Sequence, residues 1–500
     1  MFKKNLAANY IGQGWVALMG LAFVPLYIKY LGIEAYGLIG LFTVLQSWLT
    51  LLDMGMTPTL GREMARFTGE GKSIESIRDL LRSIEVVAFI VAFLIAGSTF
   101  FGANWIAVNW VKSDSISAVR VANAFVVMGI VAALRFVEGI YRSAIIGMQR
   151  QILFNIINAV MATIRGLGAV IILKWVSPTI QVFFLWQGVL SILTLLILGV
   201  ATYKSLPKGK RSGRFSYGEL KAVSKFASGM LGITLLKIML TQIDKVILSK
   251  LLTLSEFGYY TLATTVASSL LILVSPVVQA VYPKFCELHA RHDYNSLANT
   301  FHKSSQLVSV IAGSFCFTMI LFSQTFLEVW TQDISTAIKV SPLLIILSIG
   351  SLINGLMWIP YQVQLAYQWT KLPILINLIS VIVIVPAIIF VVPIYGSIGA
   401  AWIWVILNCG YFFVSGSIMF KKILVTEKWQ WYFKDVFLPL FVSVIGILAI
   451  KIILPYPTTT ISQLTTLSFA VIVAIISSSV ASKYIRNQLF KVMSLVTIRK

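Results

Sequence analysis

The chain has 500 residues, 58% of them hydrophobic and only 12% charged, with a mean hydropathy of +0.88. Soluble domains carry about 25% charged residues, so a water-soluble globule of this make-up could not cover its own surface. The same numbers exclude a disordered chain, and three cysteines (Cys286, Cys316, Cys409) exclude a disulfide scaffold. What remains is an all-α polytopic membrane protein. The net charge of +22 fits either a nucleic-acid partner or basic loops facing an anionic leaflet, and the distribution of the charges decides between them.

A helix crosses the hydrocarbon core with about 20 mostly apolar residues. Such runs predict about fourteen transmembrane helices, at 8–30, 35–54, 84–106, 117–141, 151–173, 179–203, 226–249, 257–282, 305–327, 338–361, 373–392, 397–420, 436–454 and 464–482. The runs are continuous and lack the alternation of a membrane β-barrel. With the N-terminus in the cytoplasm, Lys29, Lys112, Lys174, Lys250, Lys339 and Lys451 fall in outer loops, while Arg120, Arg135, Arg165, Lys237 and Lys245 fall within spans. All other Lys and Arg lie on the cytoplasmic side, including Arg62, Arg66, Lys72, Arg78 and the cluster Lys204, Lys208, Lys210, Arg211 and Arg214. This bias follows the positive-inside rule, puts both termini in the cytoplasm and assigns the charge to the membrane rather than to nucleic acid. Lys3-Lys4 before an apolar run looks like a secretory signal, but the run is too long and carries Asn9 and Gln13, so it reads as an uncleaved first helix.

Two stretches six spans apart resemble each other. Ala35-Tyr36-Gly37 opens the second span and Glu256-Phe257-Gly258 the eighth; Arg62 falls opposite Lys284, and Arg150 and Asn155 opposite Lys371 and Asn377. A parallel repeat of this kind gives two six-helix lobes with a substrate path between them. The lobes run from 1 to 214, including the basic linker, and from 215 to 425; residues 426–500 add a helical hairpin and a cytoplasmic tail.

The chain resembles the polysaccharide transporter family, the O-antigen (Wzx-type) flippases of the multidrug/oligosaccharidyl-lipid/polysaccharide exporter superfamily. The resemblance is carried by Tyr30-Leu-Gly-Ile-Glu-Ala-Tyr-Gly37, Leu52-Asp-Met-Gly-Met-Thr-Pro-Thr-Leu-Gly-Arg-Glu-Met-Ala-Arg66, Gly147-Met-Gln-Arg-Gln-Ile-Leu-Phe-Asn155 and Gly396-Ser-Ile-Gly-Ala-Ala-Trp402. These are helix-packing and turn motifs rather than catalytic ones. The resemblance implies two lobes forming a V around a central cavity, with the first and seventh helices bordering it. It also implies movement of an undecaprenyl-diphosphate-linked oligosaccharide from the cytoplasmic to the periplasmic leaflet.

Such a head group cannot cross hydrocarbon unaided, since each hydroxyl and phosphate would lose its water contacts, and cationic side chains in a hydrated passage would favour it. Charges inside spans are costly and are functional candidates by default. In span seven Thr234, Lys237, Thr241 and Asp244 share one helical face, with Lys245 and Ser249 beside it. Lys237 lies roughly 16 Å from the cytoplasmic end. A head-group or coupling-ion site and a buried Lys237–Asp244 pair both fit this face. Span five places Asn155, Asn158 and Arg165 on one face, which suits either a polar stripe toward the cavity or a hydrogen-bond network within the lobe. In span four Arg135, Glu138 and Arg142 are spaced as a local salt-bridge ladder, with substrate contact through Arg135 the other reading. Span two aligns Thr43, Gln46, Thr50 and Asp53; Asp53 reads as a gate or as a carboxylate at the inner boundary. Pro25 and Pro276 remove backbone hydrogen bonds inside spans and are candidate hinges. Cys286, Glu287, His289, His292 and His302 could suggest zinc, but their spacing fits no closed site and Lys284 and Arg291 oppose a dication; the expectation is a solvated loop and no metal.

The expected function is therefore flipping of a lipid-linked oligosaccharide in the bacterial inner membrane. The chain needs no cofactor; H+ or Na+ is the candidate coupling ion, and no Walker A pattern points to ATP. Partners are the lipid-linked oligosaccharide, membrane lipids and the polysaccharide polymerase machinery, with no nucleic acid. Export of cationic drugs by a related two-lobed protein is the alternative, disfavoured because basic residues outnumber acidic ones within the spans. A membrane-embedded glycan polymerase is a further one, disfavoured by the short outer loops.

Overall fold

In hydrocarbon every backbone N–H and C=O must be satisfied within its own segment, so long apolar runs fold as helices. The computed structural model describes residues 2–68, 73–209, 211–369, 371–454, 457 and 459–487, and among them the regular structure is helical apart from one isolated bridge between Lys112 and Thr253. In chain order the helices are α1 (Phe2–Ala22), α2 (Val24–Leu31), α3 (Ile33–Leu49), α4 (Met56–Thr68), α5 (Ile74–Asn109), α6 (Ala118–Gly147), α7 (Gln151–Trp175), α8 (Ile180–Ser205), α9 (Tyr217–Leu251) and α10 (Leu254–Ala290). They continue as α11 (Tyr294–Leu321), α12 (Ser323–Thr331), α13 (Ile334–Leu356), α14 (Trp358–Ala366), α15 (Lys371–Gly410), α16 (Gly416–Lys422), α17 (Lys428–Gln430), α18 (Leu438–Ile453) and α19 (Thr460–Ala481). Wide π turns at Tyr411–Ser415 and Trp431–Phe437 precede α16 and α18.

Among the described residues twelve helical segments are long and apolar enough to cross a membrane. One of these, Lys371–Lys422, is 52 residues long, and it is broken at Gly396, whose φ of 58° and ψ of −148° are not helical. The break falls in the gap that hydropathy leaves between 392 and 397. Several helices outrun the apolar runs that predicted them. α5 spans 36 residues and α10 spans 37, because a helix need not stop where the hydrocarbon does; its wet end is held by pairs such as Arg82–Glu85 at 3.1 Å and Lys284–Glu287 at 2.9 Å.

Compactness divides the chain into Met1–Gly258 and Tyr259–Lys500. This differs from the division at 214/215 drawn from the repeat because it groups helices by contact: α9 lies against α3, α4 and α5. In the first unit α5 packs along α6, α6 along α8, and α1 along α7. Its core gathers Leu60, Met64, Leu80, Ile84, Val137 and Ile140. In the second unit Phe301, Phe412, Phe420, Trp431 and Tyr432 form an aromatic cluster, and α18 and α19 pair against α11.

The histidine-bearing stretch departs from the solvated loop expected for it. α10 continues through Cys286, Glu287 and His289, and Glu287 pairs with Lys284 and with Arg291 at 3.0 Å. Of the three histidines only His292 is an exposed turn residue. His302 is buried on α11, 3% exposed, held between Asp435 and, at 3.0 Å, Glu427 Oε2. Gln306 Nε2 donates to the other Asp435 oxygen at 2.8 Å and its own oxygen accepts from the Tyr484 N–H at 3.1 Å. Isolated carboxylates could not be buried at this cost, so the network ties α11 to the π turn before α18 and to the chain after α19.

The glycines that the repeat aligns meet within the first unit. A Cβ on Gly37 would stand 2.4 Å from the Leu254 carbonyl oxygen, and one on Gly258 would stand 2.4 Å from the Ile33 carbonyl oxygen. Ile33 precedes Gly37 by one turn and Leu254 precedes Gly258 by one turn, so the contact is reciprocal. Gly37→Ala and Gly258→Ala are therefore each expected to destabilise the protein by about 1–3 kcal/mol, by similar amounts. Thermal unfolding in detergent checks this, and either variant matching the parent would contradict it.

Candidate functional site

The polar face of α3 predicted from spacing is the wall of a cavity. Thr43, Gln46 and Thr50 line about 500 Å³ of space together with Arg135, Glu138 and Arg142 of α6, Asn158 and Arg165 of α7, and Thr194 of α8. α6 and α7 both pack on α8, which holds these side chains on one side of the first unit. The aromatic residues beneath them were not legible as site residues. The Arg135 guanidinium carbon stands 5.1 Å from the Phe42 ring centroid and that of Arg142 stands 5.2 Å from Phe154.

The charges in this cavity are incompletely matched. Arg135 donates through Nη1 to Gln46 Oε1 at 3.0 Å and through Nη2 to Gln187 Oε1 at 2.9 Å, both neutral acceptors. Its buried Nε has no acceptor among the described residues. Arg165 reaches Thr194 Oγ1 at 3.4 Å through Nη2. The two guanidinium groups line the same cavity wall. Glu138 is the one carboxylate among the lining residues. The expected salt-bridge ladder is not formed: among the described residues no ion pair within 4.0 Å joins Glu138 to Arg135 or Arg142. Arg142 lies over Phe154 instead. Three guanidinium groups against one carboxylate leave the cavity wall with an excess of positive charge and of fork-shaped hydrogen-bond donors.

Other candidates lie elsewhere. Asn155 is buried between α7 and α1, donating through Nδ2 to Asn9 Oδ1 at 2.6 Å, while Asn9 donates to Gln151 Oε1 at 2.7 Å. Asp53 takes the Thr57 backbone N–H at 3.0 Å and the Thr57 hydroxyl at 2.6 Å, capping the start of α4. Pro25 stands just after the break at Phe23 that separates α1 from α2, whereas Pro276 lies inside the unbroken α10. Asp244 and Lys245 are half-buried on α9, away from this cavity. Lys237 lies on the same helix, and its side chain falls outside the described residues. Lys210 of the basic linker also falls outside them.

The rest of that linker is strapped onto α5. Arg211 grips Asp79 with two bonds of 2.9 and 2.6 Å, the Arg214 N–H adds a third at 2.8 Å, and Arg78 holds the Pro207 carbonyl at 2.7 Å. The hydrogen bonds that Arg211 donates to Asp79 hold its guanidinium pKa above the ordinary range. Among the described residues no cluster of His, Cys, Asp or Glu is arranged to hold a metal ion.

Comparison with known proteins follows the same lines. A family profile described as "Polysaccharide biosynthesis protein" matches residues 29–334. A Shigella flexneri protein named "Putative O-antigen transporter" is 22% identical over 80% of this chain and 93% of its own length. A Salmonella typhimurium protein of the same name is 22% identical over 67% of this chain and 78% of its own. Among solved structures, "Lipid II flippase MurJ, inward closed conformation" superposes with a TM-score of 0.71 at 14% identity, covering 96% of this chain and 99% of that one. An inward-facing multidrug resistance MATE family transporter of the MOP superfamily gives 0.66 at 11% identity, covering 83% and 96%. The fold is that of these transporters.

Because Asn155 bonds to α1 rather than to the cavity, Asn155→Ala should cost about 1–3 kcal/mol of stability and leave the transport rate per folded molecule unchanged. Thermal unfolding paired with a transport assay checks this; a transport defect in fully folded protein would put Asn155 back in the site.

Proposed function

The chain belongs to the polysaccharide biosynthesis protein family, and from that premise we propose that it is a flippase. Its cargo is an undecaprenyl-diphosphate-linked oligosaccharide, an O-antigen or related surface-polysaccharide unit, carried from the cytoplasmic to the periplasmic leaflet by alternating access. It is a transporter and not an enzyme, in keeping with relatives named for O-antigen transport and with a flippase-like fold.

The observation that carries this reading is the cavity of Arg135, Arg142 and Arg165 against the single Glu138. A diphosphate supplies acceptors for the guanidinium donors that the protein leaves free, and the hydroxyl and amide groups of Thr43, Gln46, Thr50 and Asn158 suit sugar hydroxyls. Export of cationic drugs would call for the opposite balance of charge. The accompanying topology has fourteen spans, with Lys371–Lys422 counted as two arms about Gly396 and α9 added to the remaining segments. Both termini are cytoplasmic and the membrane is the bacterial inner membrane. The lobes 1–214 and 215–425, the hairpin 426–500, the hinges Pro25 and Pro276, and a gate at Asp53 belong to this proposal. So do head-group contacts by Lys237, Asp244 and Lys245, drive by H+ or Na+, and hand-over to polymerase machinery.

The test is genetic and biochemical together. Deletion should strand lipid-linked oligosaccharide on the inner leaflet without altering sensitivity to cationic dyes. In complementation, Arg165→Ala should lower transport about tenfold or more, the loss of one charged hydrogen-bonding contact to phosphate. Arg165→Lys should retain part of it, keeping the charge and losing the fork. Full transport by an Arg135→Ala/Arg165→Ala double variant would overturn the proposal.

A further inference from the structure

A second cavity of about 250 Å³ adjoins the first, and the two share Thr43, Gln46, Arg135 and Arg165 in their walls. Its remaining lining is mostly apolar, with Phe23, Tyr27, Phe42 and Phe183 joined by Val16 and Met19. The rings are built into place. The helix is interrupted at Phe23 between α1 and α2, where Pro25 lacks the N–H that would continue the hydrogen-bond ladder. Phe23 fits against α7 only because position 166 is glycine, where a Cβ would stand 2.1 Å from its ring. Tyr27 then stacks on Phe23 with centroids 6.4 Å apart and meets Phe183 edge-on at 5.1 Å.

The cavities are ordered along the helices. On α7 the polar one takes Phe154 and Asn158 and the apolar one Ala162 and Gly166, with Arg165 common to both. On α8 the polar one takes Thr194 and Leu198, and the apolar one Phe183 and Gln187. In the topology proposed above, the polar cavity thus lies toward the cytoplasmic end of each helix and the apolar cavity deeper, with the two arginines between them.

A lipid-linked oligosaccharide in the cytoplasmic leaflet has the same order: sugar outermost, diphosphate next, hydrocarbon deepest. Building on the flippase reading, we propose that the apolar cavity holds the polyprenyl carbons nearest the diphosphate, so that the protein grips its cargo on both sides of the phosphates. A sugar in this cavity would leave most of its hydroxyls without partners, whereas prenyl carbons gain by leaving water. The first carbons of the lipid are therefore a recognition element, and the rest of the tail stays in the bilayer.

The test uses the full-length protein in lipid nanodiscs with three probes: farnesyl diphosphate, inorganic diphosphate and UDP-glucose. Gly20 lines the apolar cavity with nothing within 4 Å of where its Cβ would stand, and Ala162 lines it from α7. Gly20→Leu and Ala162→Leu, as independent fillings, should each weaken farnesyl diphosphate binding about tenfold and leave inorganic diphosphate within about twofold. Arg165→Ala should weaken both. If both filled variants bind farnesyl diphosphate as the parent does while Arg165→Ala weakens both probes, the lipid assignment falls and the flippase reading stands. If filling weakens UDP-glucose and spares farnesyl diphosphate, the cavity belongs to sugar and the assignment likewise falls. If the parent binds no diphosphate, or Arg165→Ala changes nothing, the flippase site itself is wrong and this inference falls with it.

Discussion

A guanidinium placed within a membrane-spanning bundle has to find compensation, and in this protein Arg135 and Arg165 find little of it in the protein itself. Arg135 has two amide oxygens and an aromatic face, and Arg165 has a long bond to a threonine hydroxyl. A charged side chain at the centre of a spanning helix costs roughly 2.5–3.5 kcal/mol on insertion scales. Nearby Glu138 offsets part of the charge without forming a pair. A structural role would be served more cheaply by a closed ion pair or by leucine. In the function proposed, an anionic cargo gives the arrangement its purpose, the missing acceptors arriving with the phosphate.

The surrounding helices keep that imbalance in place. α6 and α7 pack on α8, α7 is tied to α1 by the Asn9–Asn155 amide pair, and the basic linker is drawn onto α5 by Asp79. Phe42 and Phe154 lie under two of the guanidinium groups, so the heads are held without being neutralised. In the second unit the buried His302 network does the opposite: its imidazole, amide and carboxylates satisfy one another.

How much could be read from the chain depends on the range of the interaction. Spans were legible because hydropathy reports burial in hydrocarbon residue by residue, and the break at Gly396 because it interrupts an apolar run. The site face of α3 was legible because Thr43, Gln46 and Thr50 recur at helical spacing in an otherwise apolar segment. The same periodicity put Asn155 beside Asn158 and Arg165, yet Asn155 turns to α1, since spacing gives a face and not its neighbour. His302 was misread for a related reason. Its partners Glu427 and Asp435 come more than a hundred residues later, and no local pattern announces them. Gln187, Ser191 and Thr194 recur at helical spacing on α8 and offered a signal of the same kind, but they are uncharged and went unread.

The central claim is that unmatched arginines in the membrane select cargo by its phosphates. Proteoliposomes holding the purified protein, loaded with one fluorescent oligosaccharide on a polyprenyl chain either through a diphosphate or through a phosphate-free ether, would measure this directly. The account predicts rapid, salt-sensitive translocation of the diphosphate-linked molecule and none above the protein-free rate for the ether. Equal rates for the two would contradict it.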